Sequence, residues 1–129
     1  MVRSERITYM NGDFIPESEA KVHFRDRSFK YGDGVFDMTR TFGHKIFKIE
    51  EHVERLYKSL NYLDIKLDLP PKKMVEISKE VLEKNLPLIK KDEDYWVGQR
   101  ISRGVDRVGG EQWDLEGGPT VIVECAPLP

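Results

Sequence analysis

The period of the apolar residues changes twice along this chain. Before Glu50 they alternate, in RITYM, VFDMTRTF and IFKI. From Glu50 onward they recur at steps of three and four: Val53, Leu56, Tyr57, Leu60 and Leu63, then Met74, Ile77, Val81 and Leu82. Alternation returns at YWVGQRIS and TVIVECA. Period two belongs to strands and period 3.6 to helices. The order β-hairpin, β-hairpin, two helices, β, loop, β predicts an α+β fold with a largely antiparallel sheet and two helices.

Turn residues fit that order. Asn11 and Gly12 close the first hairpin, because Asn-Gly favours the positive φ angles of a tight turn. Pro16 confines the return strand to a sheet edge. RDRSFKYGDG reads as a loop or a single helical turn, and GHK closes a second hairpin over residues 35–49. Glu50 and Glu51 place negative charge in the first turn of a helix, where the dipole favours it. Pro70 and Pro71 open a second helix. NLPLIKKDED is a charged connection, and RGVDRVGGEQWDLEGG a long glycine-rich loop. The final APLP reads as a linker or as a frayed tail.

The 129 residues suit one domain with one core. A formal net charge of -2 provides no basic field to draw nucleic acid or acidic lipid. Aromatic residues do not interleave with a basic stripe, so no nucleic-acid partner is expected. Cys125 has no second cysteine to pair with, which points to a reducing compartment. MVRSERITYMNG lacks the apolar segment of a signal peptide, and no stretch approaches the roughly 20 apolar residues of a membrane span. The expected location is the cytoplasm, with no membrane partner. His23, His44 and His52 have no metal-ligand spacing, so no metal is expected.

Four places invite chemistry. In VFDMTRTF, Phe36, Met38 and Arg40 share one strand face, opposite Val35, Asp37, Thr39 and Thr41. Arg40 among apolar neighbours either snorkels to solvent or meets an anion. Gly32 and Gly34 around Asp33 permit a turn that a β-carbon would obstruct, either to approach a ligand or to close a loop. In HVERL, Arg55 lies outside the apolar stripe, and helical spacing offers it Glu51 as a surface partner. Arg100, Arg103 and Arg107 cluster in sequence near glycines, either as a solvated face or as a carboxylate site.

NGDFIP, DRSFKYGDGVFDMTRTFGHKIFKIEEHVERLYKSL and ISRG, in that order, resemble class IV aminotransferases, the fold-type IV enzymes that use pyridoxal 5'-phosphate. The resemblance covers essentially the whole chain but only the family's smaller N-terminal domain. It implies residues 1–125 as that domain and 126–129 as the start of the interdomain linker. The larger domain would carry the Schiff-base lysine, which no lysine here matches, so no catalytic residue is expected in this chain and the chain alone should be inactive. Arg55 matches the arginine that binds the cofactor phosphate. Phe36, Met38 and Arg40 match strand positions lining the substrate pocket, with Arg40 meeting a substrate carboxylate or shaping the pocket. Trp96 and Gly98 lie where other pocket-lining residues sit. Tyr31 matches a loop residue that reaches the partner subunit's site, and Arg107 loosely matches a carboxylate-trapping arginine. The resemblance implies a homodimer that transfers an amino group between an amino acid or amine and a 2-oxo acid. A lyase on the same scaffold, resembling aminodeoxychorismate lyase, and a non-enzymatic binding or dimerisation module are the alternatives.

Overall fold

The structure, a computed structural model, describes residues 5–129. Eight strands and three helices follow in the order β1 (Ile7–Met10), β2 (Asp13–Pro16), α1 (Arg27–Tyr31), β3 (Gly34–Phe42), β4 (Lys45–Ile46), α2 (Ile49–Tyr62), α3 (Pro71–Asn85), β5 (Tyr95–Ser102), β6 (Val105–Asp106), β7 (Leu115–Glu116) and β8 (Thr120–Pro127). Six strands form one antiparallel sheet in the order β2-β1-β8-β5-β3-β4. The α+β expectation is met. Asn11 and Gly12 take φ angles of 50° and 104° between β1 and β2, as a tight hairpin requires. The strand bearing Pro16 is an edge strand.

Two expectations need correction. The return strand of the second hairpin is only Lys45–Ile46, because Lys48 adopts a left-handed conformation (φ 48°) and Ile49 already belongs to α2. The segment after Ser102 is not all loop: β6 and β7 pair within it as a separate two-stranded ribbon. β8 pairs with β5 as far as Pro127, opposite Tyr95.

α2 and α3 cover one face of the sheet. Val53, Leu56 and Leu60 from α2 and Met74, Ile77, Val81 and Leu82 from α3 pack on Tyr95, Val97, Ile101, Val121 and Val123. The helical stripe read from the sequence is therefore the buried one, with Tyr57 and Leu63 at its margin. No helix among the described residues is long and apolar enough to cross a membrane.

The other face of β3 and β5 is uncovered among the described residues. Phe36 is 67% exposed, Phe42 53% and Trp96 37%. The buried side of β3 is polar instead: Asp37, Thr39 and Thr41 point toward the helices. Each is satisfied there. Thr39 donates to the carbonyl of Phe47 at 2.6 Å, and Thr41 donates to Asp94 while accepting from the Tyr95 amide.

Candidate functional site: an open sheet face beside a clamped arginine

The register of β3 against β5 gathers most of the strand residues singled out above. Phe36 lies opposite Arg100, Met38 opposite Gly98, and Arg40 opposite Trp96. Cross-strand pairs on one face sit within contact reach, so Phe36, Met38, Arg40, Trp96 and Gly98 make one patch. Gly98 has a steric role in it. A β-carbon there would lie 2.7 Å from the terminal methyl of Met38, so the thioether chain lies flat across the glycine.

Arg40 is a part-exposed member of the patch. Its Nε donates to the carbonyl of Thr41 at 3.0 Å, its guanidinium stacks 3.9 Å from the Phe42 ring, and an Asp94 oxygen is 4.0 Å away. Those contacts draw it toward the Phe42 end of the strand. Arg100 pairs with Glu124 on the same open face.

The three arginines of the later segment do not converge. Arg103 is buried and structural: it donates to Asp33 at 2.8 Å and to the carbonyls of Leu63 and Asp64 at the end of α2. Cations suit that helix terminus. Arg107 lies in the loop between β6 and β7 and pairs with Asp114 at 3.1 Å. It shares a groove with Tyr31, which is 61% exposed and whose ring lies beneath Arg27 and Lys30. Tyr31 and Arg107 are thus near one another and apart from the strand patch.

The glycines of YGDG serve two ends. Gly32 caps α1 at φ 68°, a conformation that favours glycine. Gly34 permits close strand approach, since a β-carbon would meet the Ile101 carbonyl oxygen at 2.7 Å. Asp33 between them accepts from Arg27 at 2.7 Å and from Arg103 at 2.8 Å. Burial raises its carboxyl pKa; hydrogen bonds and charge from the two guanidiniums outweigh that and hold it below the usual value.

Arg55 does not pair with Glu51. Its Nε and Nη2 donate to the two oxygens of Asp37 at 2.7 and 2.9 Å, a bidentate fork. The Asp37 side chain is 5% exposed and that of Arg55 67%. His52, one turn before Arg55, places Nδ1 2.6 Å from Asp37 Oδ1 and, facing a carboxylate, donates there. Burial pushes the Asp37 carboxyl up, while Arg55 and His52 outweigh it and bring it below the usual value. Helical periodicity sees only partners on the same helix, so Asp37 and His52 escaped the sequence reading. The available signal was the His–x–x–Arg spacing, which puts both side chains on one helix face.

The Arg55 side chain suits a phosphate. Asp37 occupies only its Nε and Nη2 edge, and most of the side chain remains open to an anion. Among the described residues no group of three or more His, Cys, Asp or Glu side chains is placed to hold a metal.

This sheet-and-helix arrangement is the fold of the N-terminal domain of branched-chain aminotransferases. The structure of the branched-chain aminotransferase from Thermoproteus uzoniensis with norvaline aligns with a TM-score of 0.80 at 20% identity, over 96% of this chain and 41% of that one. A hypothetical aminotransferase from Mycobacterium tuberculosis, in its PLP-bound form, aligns with a TM-score of 0.73 at 23% identity, over 95% and 40%. In sequence, the putative branched-chain-amino-acid aminotransferase of Methanocaldococcus jannaschii is 33% identical over 121 residues, 94% of this chain and 40% of that protein. The D-alanine aminotransferase of Staphylococcus aureus is 34% identical over 77 residues, 60% of this chain and 27% of that protein. The model of the family described as amino-transferase class IV matches residues 34–112, more than half of the chain. The chain belongs to that family. It spans well under half the length of these relatives.

Proposed function

We propose that this chain is the small domain of a pyridoxal-phosphate-dependent aminotransferase that moves an amino group between an amino acid or amine and a 2-oxo acid. The observation that carries this reading is the fork-held yet open Arg55, within the segment matched by the family model. Arg55 binds the cofactor phosphate. Phe36, Met38 and Trp96 wall the substrate and exclude water, and Gly98 leaves room beside Met38. Arg40, drawn toward Phe42 and Thr41, shapes the end of that wall. Tyr31 and Arg107 extend from the far groove toward a second subunit of a cytoplasmic homodimer.

When bound, pyridoxal phosphate supplies the electron sink for the bond changes at the amino-bearing carbon. The contribution of this chain is to hold the phosphate and to provide one wall of a dry cleft, in which such charge contacts strengthen.

The test is cofactor retention by the full-length protein. Arg55→Ala is expected to lower pyridoxal phosphate occupancy far more than Arg40→Ala, read by absorbance after dialysis. Equal occupancy in the two variants rejects the assignment.

A further inference from the structure

We infer that Asp37 is the positioning residue for Arg55, holding its guanidinium in the orientation that receives the phosphate. This rests on the reading of Arg55 as the phosphate anchor and adds to it a residue that never touches the ligand.

The geometry is asymmetric in a telling way. The Asp37 side chain is 5% exposed, fixed on the helix-facing side of β3, while the Arg55 side chain is 67% exposed on α2. An arginine so open has many rotamers and loses them on binding an anion. Two hydrogen bonds, at 2.7 and 2.9 Å to separate carboxylate oxygens, fix both its position and the plane of its fork. His52 at 2.6 Å fixes the carboxylate in turn. On the same helix, Arg55 Nη2 also lies 3.3 Å from His52 Nδ1, while Tyr57 turns to the Leu69 carbonyl.

A competing effect has the opposite sign. The Asp37 carboxylate neutralises part of the charge that Arg55 offers to a phosphate, so removing it strengthens the attraction. The inference is that orientation outweighs charge. A guanidinium recognises phosphate through directed N–H donors, and a pre-set fork delivers those without further ordering. The consequence can be measured, since the two effects predict opposite changes.

The readout is the ratio of affinities of the full-length apoprotein for pyridoxal phosphate and for phosphate-free pyridoxal, titrated by absorbance. A role confined to general stability weakens both ligands alike and leaves the ratio unmoved. Asp37→Asn keeps the shape but presents an amide N–H group to the guanidinium and breaks the fork. It is expected to lower the ratio by about ten-fold, the scale on which outer-shell partners act on bound ions. In an Arg55→Ala background the same change should have no effect, because its route is gone. Arg55→Lys tests the idea without touching a buried residue. It keeps the charge and loses the fork, and it should lose nearly as much of the ratio as Arg55→Ala.

An Asp37→Asn protein with an unchanged or higher ratio overturns the inference, as does an Arg55→Lys protein that keeps the original ratio. Either result, with the ratio lowered in Arg55→Ala, leaves the phosphate anchor standing. If Arg55→Ala itself leaves the ratio unchanged, the anchor is rejected and the role of Asp37 falls with it.

Discussion

Asn85 pairs with Ile7 as one strand pairs with another. Its side-chain Oδ1 accepts the Ile7 amide at 2.7 Å and its Nδ2 donates to the Ile7 carbonyl at 2.8 Å. The same Nδ2 donates to the carbonyl of Val81 within α3, and the side chain is fully buried. One helix residue thus completes the backbone bonding of β1 at the point where its ladder with β8 is out of reach, since that ladder holds only Tyr9 and Met10.

Asn85→Ala leaves both Ile7 groups without protein partners. We expect a loss of about 2–3 kcal/mol, the cost of part-buried unsatisfied backbone groups together with a small cavity. Urea unfolding of the full-length protein checks this. A midpoint unchanged from wild type would show that water replaces the amide at no cost.

Stability should fall in acid. In Asp26, Asp33 and Asp37 burial alone raises the carboxyl pKa, and hydrogen bonds outweigh it: from Thr120 and Ser28 for Asp26, from Arg103 and Arg27 for Asp33, and from Arg55 and His52 for Asp37. A lowered folded-state pKa means that the stabilisation is fully present above the unfolded value, about pH 4, and is lost as pH falls through the folded values. Denaturation midpoints measured at pH 7 and stepwise below pH 4 should show this. Asp33→Asn should begin less stable at pH 7, since it disrupts the pairing of the buried Arg103, and then decline less steeply. An acid slope equal to wild type would mean that the Asp33 pairs contribute nothing.

On the proposal that the open face walls the substrate, the Met38–Gly98 contact gives a handle on substrate size. Because a β-carbon at residue 98 would lie 2.7 Å from the flexible end of Met38, Gly98→Val should swing that side chain into the open face rather than unfold the sheet. In the full-length protein we expect kcat/KM for bulky amino donors to fall by about ten-fold or more relative to alanine, at nearly constant Tm. A uniform loss across donors would place residue 98 outside the substrate wall.

The long periodic elements were legible in the sequence because burial of one face demands periodicity. The stripes on α2 and α3 and the alternation in β3, β5 and β8 all reappear. Which face of β3 is covered was not legible. The buried row is Asp37, Thr39 and Thr41, and each is held by a partner from elsewhere in the chain: Arg55 and His52, Phe47, Asp94. Alternation separates two faces without saying which one meets the helices when neither is uniformly apolar. The arginines show the same limit. Arg100 and Arg103 are three residues apart, yet one meets Glu124 on the open face and the other is buried against Asp33 and the end of α2. The resemblance named Phe36, Met38, Arg40, Trp96 and Gly98 as pocket-lining positions, and the strand register sets them on one face.

The sheet order has a consequence for biosynthesis. Strand β1 leaves the ribosome well before its inner neighbour β8, although Tyr9 lies opposite Val123. A lone two-stranded hairpin is marginal in water. The nascent β1–β2 hairpin therefore lacks a stable seat until more than a hundred further residues have emerged, and a ribosome stalled within β5 would display that hairpin in a protease-sensitive state.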